Sequence, residues 1–186
     1  MKKIMFNDKY GLTQAVLEGR KTQTRRTFLK PGEETMLKGI TPEYLISVRS
    51  RYKVGETIAI AQSYKDIHAE ILREVGDWDL KKEFMQSKGY ANKMFVRAEK
   101  MPHAIRITNV RVERLQDISD EDCLKEGIWR DDNVGLEGTT YWYHGLANSS
   151  FRTPQEAYAS LIDRISGKGI WASNPYVFVY DFVLIN

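Results

Sequence analysis

The sequence predicts an α+β fold, a small and partly open β-barrel with helices packed against its side. Four strand-like segments, at 57–61, 94–98, 104–115 and 176–185, alternate with short helical patterns. They are too few and too unevenly spaced for a doubly wound parallel sheet, whereas a small mixed barrel accommodates them. The chain reads as a single domain, 1–186, carrying a helical insertion at 63–93.

Each element has a local reason. Asn7 or Asp8 is placed to cap a helix whose apolar side is Leu12, Ala15 and Val16, and Gly19 stops it. Residues 27–39 contain Pro31-Gly32 and read as a loop. Thr41-Pro42-Glu43 supplies an N-cap, a proline at the first helical position and an early acid, opening a helix to about Arg49. The turn Val54-Gly55-Glu56 leads into the branched run at 57–61. Ile67, Ile71, Leu72 and Val75 have helical spacing, 78–87 forms a further helix, and 94–98 reads as a strand. Along 104–115 the apolar face changes sides near Asn109, which predicts a bulge or bend there. Ser119 caps a helix carrying Cys123, Leu124 and Glu126 and ended by Gly127. Thr153-Pro154-Gln155-Glu156 is a capping box opening a helix through Ile165, with Leu161, Ile162 and Ile165 as its apolar stripe. The stretch 176–185 is apolar at most positions and therefore predicts a central strand.

Composition removes several function classes. Of 186 residues 42% are hydrophobic and 28% charged, an ordinary globular balance. No apolar run approaches the roughly 20 residues a membrane helix needs, and Met1–Phe6 is too brief an apolar start for a signal peptide, so a cytoplasmic location is expected. The single cysteine, Cys123, fits a reducing compartment. Three scattered histidines, His68, His103 and His144, offer no zinc spacing, and neither metal nor cofactor is expected.

The net charge of +3 is modest but unevenly placed, with Lys2, Lys3, Arg20, Lys21, Arg25, Arg26 and Lys30 in the first thirty residues. Within Glu18-Gly19-Arg20-Lys21-Thr22-Gln23-Thr24-Arg25-Arg26, four cations and two hydroxyls follow a helix stop. Cations this close call for a polyanion or for a lysine that sheds its proton readily. A neutral lysine beside a threonine hydroxyl is a base–nucleophile pair. Lys21 and Thr24 meet only if the chain turns between them, since residues three apart on a strand face opposite ways. The alternative is that Thr22 and Thr24 are strand residues and the cations face solvent. Trp129, Tyr141, Trp142, Tyr143 and Trp171 read either as base-stacking platforms or as core. Asn174 reads either as a base-edge contact or as the turn it forms with Pro175.

Gly-Arg-Lys-Thr-Gln-Thr-Arg-Arg at 19–26, Val-Gly-Glu-Thr at 54–57, Val-Arg-Val-Glu-Arg-Leu-Gln-Asp-Ile at 110–118 and Ser-Asp-Glu-Asp-Cys-Leu-Lys-Glu-Gly-Ile at 119–128, with Trp171 and Asn174-Pro175, together resemble the ASCH-domain family, in its larger phage- or prophage-type branch. The resemblance implies a PUA-like barrel and RNA or a nucleoside or nucleotide as partner. One branch of the family hydrolyses the acetyl group of N4-acetylcytidine. The match to it assigns the catalytic roles to Lys21, Thr24 and Glu126, with Arg20, Arg25, Arg26, Tyr64, Trp171 and Asn174 as nucleotide-binding candidates. A non-catalytic RNA-binding module and a metal-independent ribonuclease are the alternatives. The run Ala59-Ile60-Ala61-Gln62-Ser63-Tyr64 departs from the Trp-Val-Arg-Glu-Thr-Trp of larger relatives.

Overall fold

The computed structural model describes residues 1–28, 37–68, 82, 84–132, 138–146 and 150–185. Its α+β architecture centres on a five-stranded sheet. The strands are β1 (Lys2–Ile4), β2 (Gln23–Thr27), β3 (Thr57–Ile60), β4 (Ala104–Arg114) and, after the hairpin β5 (Trp129–Asp131) and β6 (Thr140–Trp142), β7 (Tyr176–Ile185). The order is β1-β3-β4-β7-β2, with β1 parallel to β3 and every other pairing antiparallel. The helices whose bounds lie within the described residues are α1 (Leu12–Leu17), α2 (Pro42–Arg49), α3 (Asp120–Lys125), α4 (Pro154–Ser166) and α5 (Ile170–Ser173). Among the described residues no helix is long and apolar enough to cross a membrane.

β7 is central, as its apolar run requires: it pairs with β4 on one side and β2 on the other, and residues 177–180 are all buried. The register against β4 slips between Ile107 and Asn109, where the apolar face of the sequence changes sides. Thr41 caps α2 by accepting from the Tyr44 N–H, Ser119 caps α3, and Thr153 with Glu156 closes the capping box of α4. That cap orients α4 so that Ala157, Tyr158 and Leu161 enter the core.

Three expectations are corrected. Residues 94–98 form no strand; 3-10 turns run over Lys93–Phe95 and Ala98–Lys100. The backbone there is satisfied by side chains rather than a ladder. The Met94 and Val96 carbonyls accept from Lys3 Nζ, and the Arg97 N–H donates to Tyr64 Oη. Neither Asn7 nor Asp8 caps α1. Asp8–Tyr10 is a separate 3-10 turn, and Gly11, at φ 63°, is the N-cap of α1, where an added Cβ would come within 3.0 Å of His144. β1, a three-residue strand, lies where the sequence reads only a basic start. The expected helices at 67–75 and 78–87 fall largely outside the described residues. The described flanks of that insertion pack as a second apolar cluster of Tyr64, Ile67, Val96, Ala98 and Met101 with Ala59 and Ala61.

Candidate functional site

The chain reversal that follows α1 creates the site. Gly19 takes the left-handed conformation at φ 73°, and the Arg20 and Lys21 N–H groups both return to the Ala15 carbonyl at 2.9 Å. Thr22 N–H then donates to the Lys125 carbonyl at the end of α3, so β2 begins only at Gln23. Lys21 therefore sits on the turn and Thr24 on the strand, and both side chains border one hollow of about 440 Å³. Glu126, the C-cap of α3, borders it too. Met5 and Phe6 beyond β1 and Leu161, Ile162 and Ile165 of α4 form its apolar walls. The volume lies within the range of small-molecule sites.

Lys21 is 2% exposed, and its ammonium makes three hydrogen bonds: to Glu126 Oε2 at 2.5 Å, to the Glu126 carbonyl at 2.8 Å and to the Gln23 carbonyl at 2.7 Å. The ammonium thus meets a carbonyl at the negative end of α3, and it offsets the carboxylate that Glu126 places at that end. Gly127, at φ 104°, lets the chain pass close by; a Cβ there would lie 3.1 Å from Leu12 and 3.7 Å from Lys21 Cδ. Burial pulls the Lys21 pKa below its ordinary value. Glu126 opposes that pull, while Arg26 and Arg25 add to it only weakly. Burial, rather than crowding by neighbouring cations, is the main cause.

Glu126 joins Lys21 to a larger buried network. Arg25, its guanidinium fully enclosed, donates to Glu126 Oε1 at 3.2 Å, Asp122 Oδ2 at 3.0 Å and Glu113 Oε1 at 2.6 Å, and also to Gln23 Oε1. Arg111 of β4 binds the same Asp122 oxygen at 2.6 Å and reaches Glu113 and Asp181. Burial works against the Arg25 charge, but Glu126 and Glu113 overcome it and hold its pKa above the ordinary value. Asp122 feels a burial penalty as well, which hydrogen bonds from Lys125 and Arg25 outweigh, lowering its pKa. Arg25 is thus a clamp that fixes Glu126, and through it Lys21. Among the described residues no three His, Cys, Asp or Glu side chains are grouped as a metal-ligand set.

The remaining candidates separate. Arg26 borders the hollow, donating to the Met5 carbonyl at 2.7 Å. Arg20 turns away, paired with Glu18 at 2.5 Å and lying 3.7 Å over the Trp129 ring, which itself stacks on Trp142. Tyr64 is buried in the second apolar cluster against Phe84 and borders a different hollow. Asn174, at φ 44°, ends α5 and accepts from the Gln116 N–H at 2.8 Å through Oδ1, the role of a turn residue. Trp171 packs edge-on against Tyr158, outside the hollow's lining. Tyr143 is core, its hydroxyl 2.8 Å from Ser160 Oγ.

One bordering residue escapes sequence reasoning. Tyr158 is 2% exposed and among the described residues its hydroxyl has no hydrogen-bond partner, although it borders the hollow. Burial, and then the nearby Glu126 charge, push its pKa well above the ordinary phenol value. It is therefore a neutral donor held in an apolar wall. A tyrosine on the inward stripe of a helix looks like core from sequence, and nothing in the pattern marks it.

Comparison with protein-family models, curated proteins and solved structures yields no match for this chain.

Proposed function

We propose that the chain is an ASCH-type domain with a PUA-like, partly open barrel, whose hollow takes the base of a nucleoside, nucleotide or RNA. We further propose that it hydrolyses an N-acyl group on a modified pyrimidine such as N4-acetylcytidine. The observation that carries this is the convergence of Lys21, Thr24 and Glu126, from segments about a hundred residues apart, on one hollow with an apolar wall. β1 and β2, the two edges of the sheet, both lead into it through Met5, Phe6 and Arg26, as a partly open barrel requires.

In this reading Lys21 acts as a neutral amine. Burial favours that form, and losing one proton frees Nζ from one of its three acceptors and leaves a lone pair for Thr24 Oγ1. The threonine oxygen adds to the acyl carbon as its proton passes to Lys21. The Tyr158 hydroxyl donates to the acyl oxygen as it gains charge. The carbon–nitrogen bond breaks, Lys21 returns the proton to the departing exocyclic nitrogen, and water then hydrolyses the threonine ester to release the acid. Arg25 keeps Glu126 in place throughout.

The test is incubation with N4-acetylcytidine, with acetate and cytidine followed separately. Turnover that disappears in Thr24→Val and Lys21→Ala is expected; the absence of turnover on any N-acylated nucleoside, nucleotide or oligonucleotide would overturn the hydrolytic reading. A second reading has its own observation. All three Lys21 N–H bonds go to Gln23 and Glu126 rather than to Thr24, as in a purely structural buried ion pair. A binding module without turnover has this arrangement, and it would bind single-stranded RNA in both the wild type and Thr24→Val.

A further inference from the structure

We propose that a second hollow, bordered by Arg26, Arg49 and Arg51, is a phosphate subsite continuous with the first, so that the ligand is a phosphate ester and not a free nucleoside; this rests on the first hollow taking the base. The second hollow measures about 190 Å³, and Arg26 and Thr27 border both. A phosphate group is small enough to fit it, and a nucleotide is long enough to span the two.

Charge is the argument. Lys21, Arg25 and Arg111 are each neutralised by carboxylates, as are the outlying Lys2, Arg20, Lys93, Lys125 and Arg130. Arg26, Arg49 and Arg51 are not: among the described residues no carboxylate pairs with any of them, and no acid borders their hollow. Three arginines bordering one small concavity leave their charge uncompensated until an anion enters, and planar guanidinium forks match phosphate oxygens. Two of them are braced by rings, with Arg51 at 5.5 Å from the Tyr52 centroid and Arg26 at 5.9 Å from that of Phe6.

The ordinary explanation of Arg49 and Arg51 is that they answer the negative end of α2. That need is already met. Lys53 Nζ donates to the Ile46 carbonyl at 2.9 Å and the Ser47 carbonyl at 2.6 Å, and Ser50 N–H also returns to Ile46. Arg49 and Arg51 remain exposed beside the hollow, so replacing them leaves the buried network around Arg25 and Glu126 untouched.

The experiment measures binding of cytidine, cytidine 5′-monophosphate, cytidine 3′-monophosphate and a short oligocytidylate to the wild type and to Arg49→Gln/Arg51→Gln. At least one phosphorylated ligand should bind the wild type about tenfold or more tighter than cytidine. In the double variant that preference should shrink to about twofold, while Arg49→Lys/Arg51→Lys, which keeps charge without the fork, should fall between. A monophosphate as tight as the oligomer identifies a free nucleotide; an oligomer that is tighter, with a steeper salt dependence lost in the double variant, identifies a strand. No preference for phosphate in the wild type, or one that survives the double variant, overturns the subsite. A protein that binds phosphate through these arginines yet turns over no acylated cytidine keeps the subsite and loses the hydrolytic reading.

Discussion

Lys21 Nζ and Glu126 Oε2 lie 2.5 Å apart with side chains 2% and 5% exposed, and Glu126 is held from its other oxygen by Arg25. A carboxylate between two buried cations is stabilising only while both contacts persist, because each charge has lost its water. The pair is therefore at once the candidate base of the site and a structural tie between the start of β2 and the end of α3.

Removing one member should be costly and removing both much less so. Glu126→Leu leaves Lys21 buried without a counter-charge and is expected to lose roughly 3–5 kcal/mol of stability. Lys21→Met/Glu126→Leu should recover most of that, since Arg25 retains Glu113 and Asp122. Denaturant unfolding of the two single variants and the double variant gives the coupling. A double variant as unstable as the sum of the singles would deny the pair its structural role.

The depressed pKa of Lys21 fixes the sign of two pH effects. Its ordinary value is 10.5 and its folded value lies lower. Between them the unfolded chain binds the extra proton, so this group makes stability rise with pH across that window and fall again as pH drops through the folded value. Lys21→Met should abolish that rise. The rate of acyl hydrolysis should likewise climb with pH to a plateau whose inflection lies below 10.5, as neutral amine accumulates. A rate that is flat across the alkaline range would remove Lys21 as the base.

Much of the scaffold could be read from sequence where local chemistry decides it. The capping box at Thr153 and Glu156 needs only residues three apart, and the bulge at Asn109 shows as a break in alternation. Residues 94–98 misled because branched and aromatic residues report extended backbone, not whether a neighbouring strand is there to pair with. β1 is three residues long and borrows its order from β3. The family resemblance names Lys21, Thr24 and Glu126, which the fold brings to one hollow, but nothing in the sequence points to the Arg25 clamp. Glu113, Asp122 and Arg111 look like ordinary solvated charges until β4 and α3 are brought over β2. Arg49 and Arg51 look like the basic end of a helix, and only the lysine already capping that helix shows that they are spare.

Tyr158→Phe separates stability from function. The hydroxyl is buried with no partner among the described residues, so deleting it should leave stability within about 1 kcal/mol of the wild type, or raise it. If the hydroxyl donates to the acyl oxygen, turnover should fall roughly 100-fold with thermal unfolding unchanged. A loss of stability with unaltered turnover would make Tyr158 a packing residue only.

Cys123 supplies a test of the α3 packing that holds Glu126. The thiol is fully buried on the helix three residues before Glu126, and burial pushes its pKa up from 9.0 to about 12. Thiolate is the reactive form, so in the folded protein Cys123 should resist a disulfide-exchange reagent at pH 8 and react at once in denaturant. In Glu126→Leu, where α3 loses the carboxylate that ties it to Lys21 and keeps its hold on Arg25 and Arg111 through Asp122 alone, the thiol should become reactive at a rate that tracks local opening rather than global unfolding. Equal protection in that variant and in the wild type would mean that α3 is held by its apolar contacts and by Asp122, and that the Glu126 carboxylate contributes to the site without anchoring the helix.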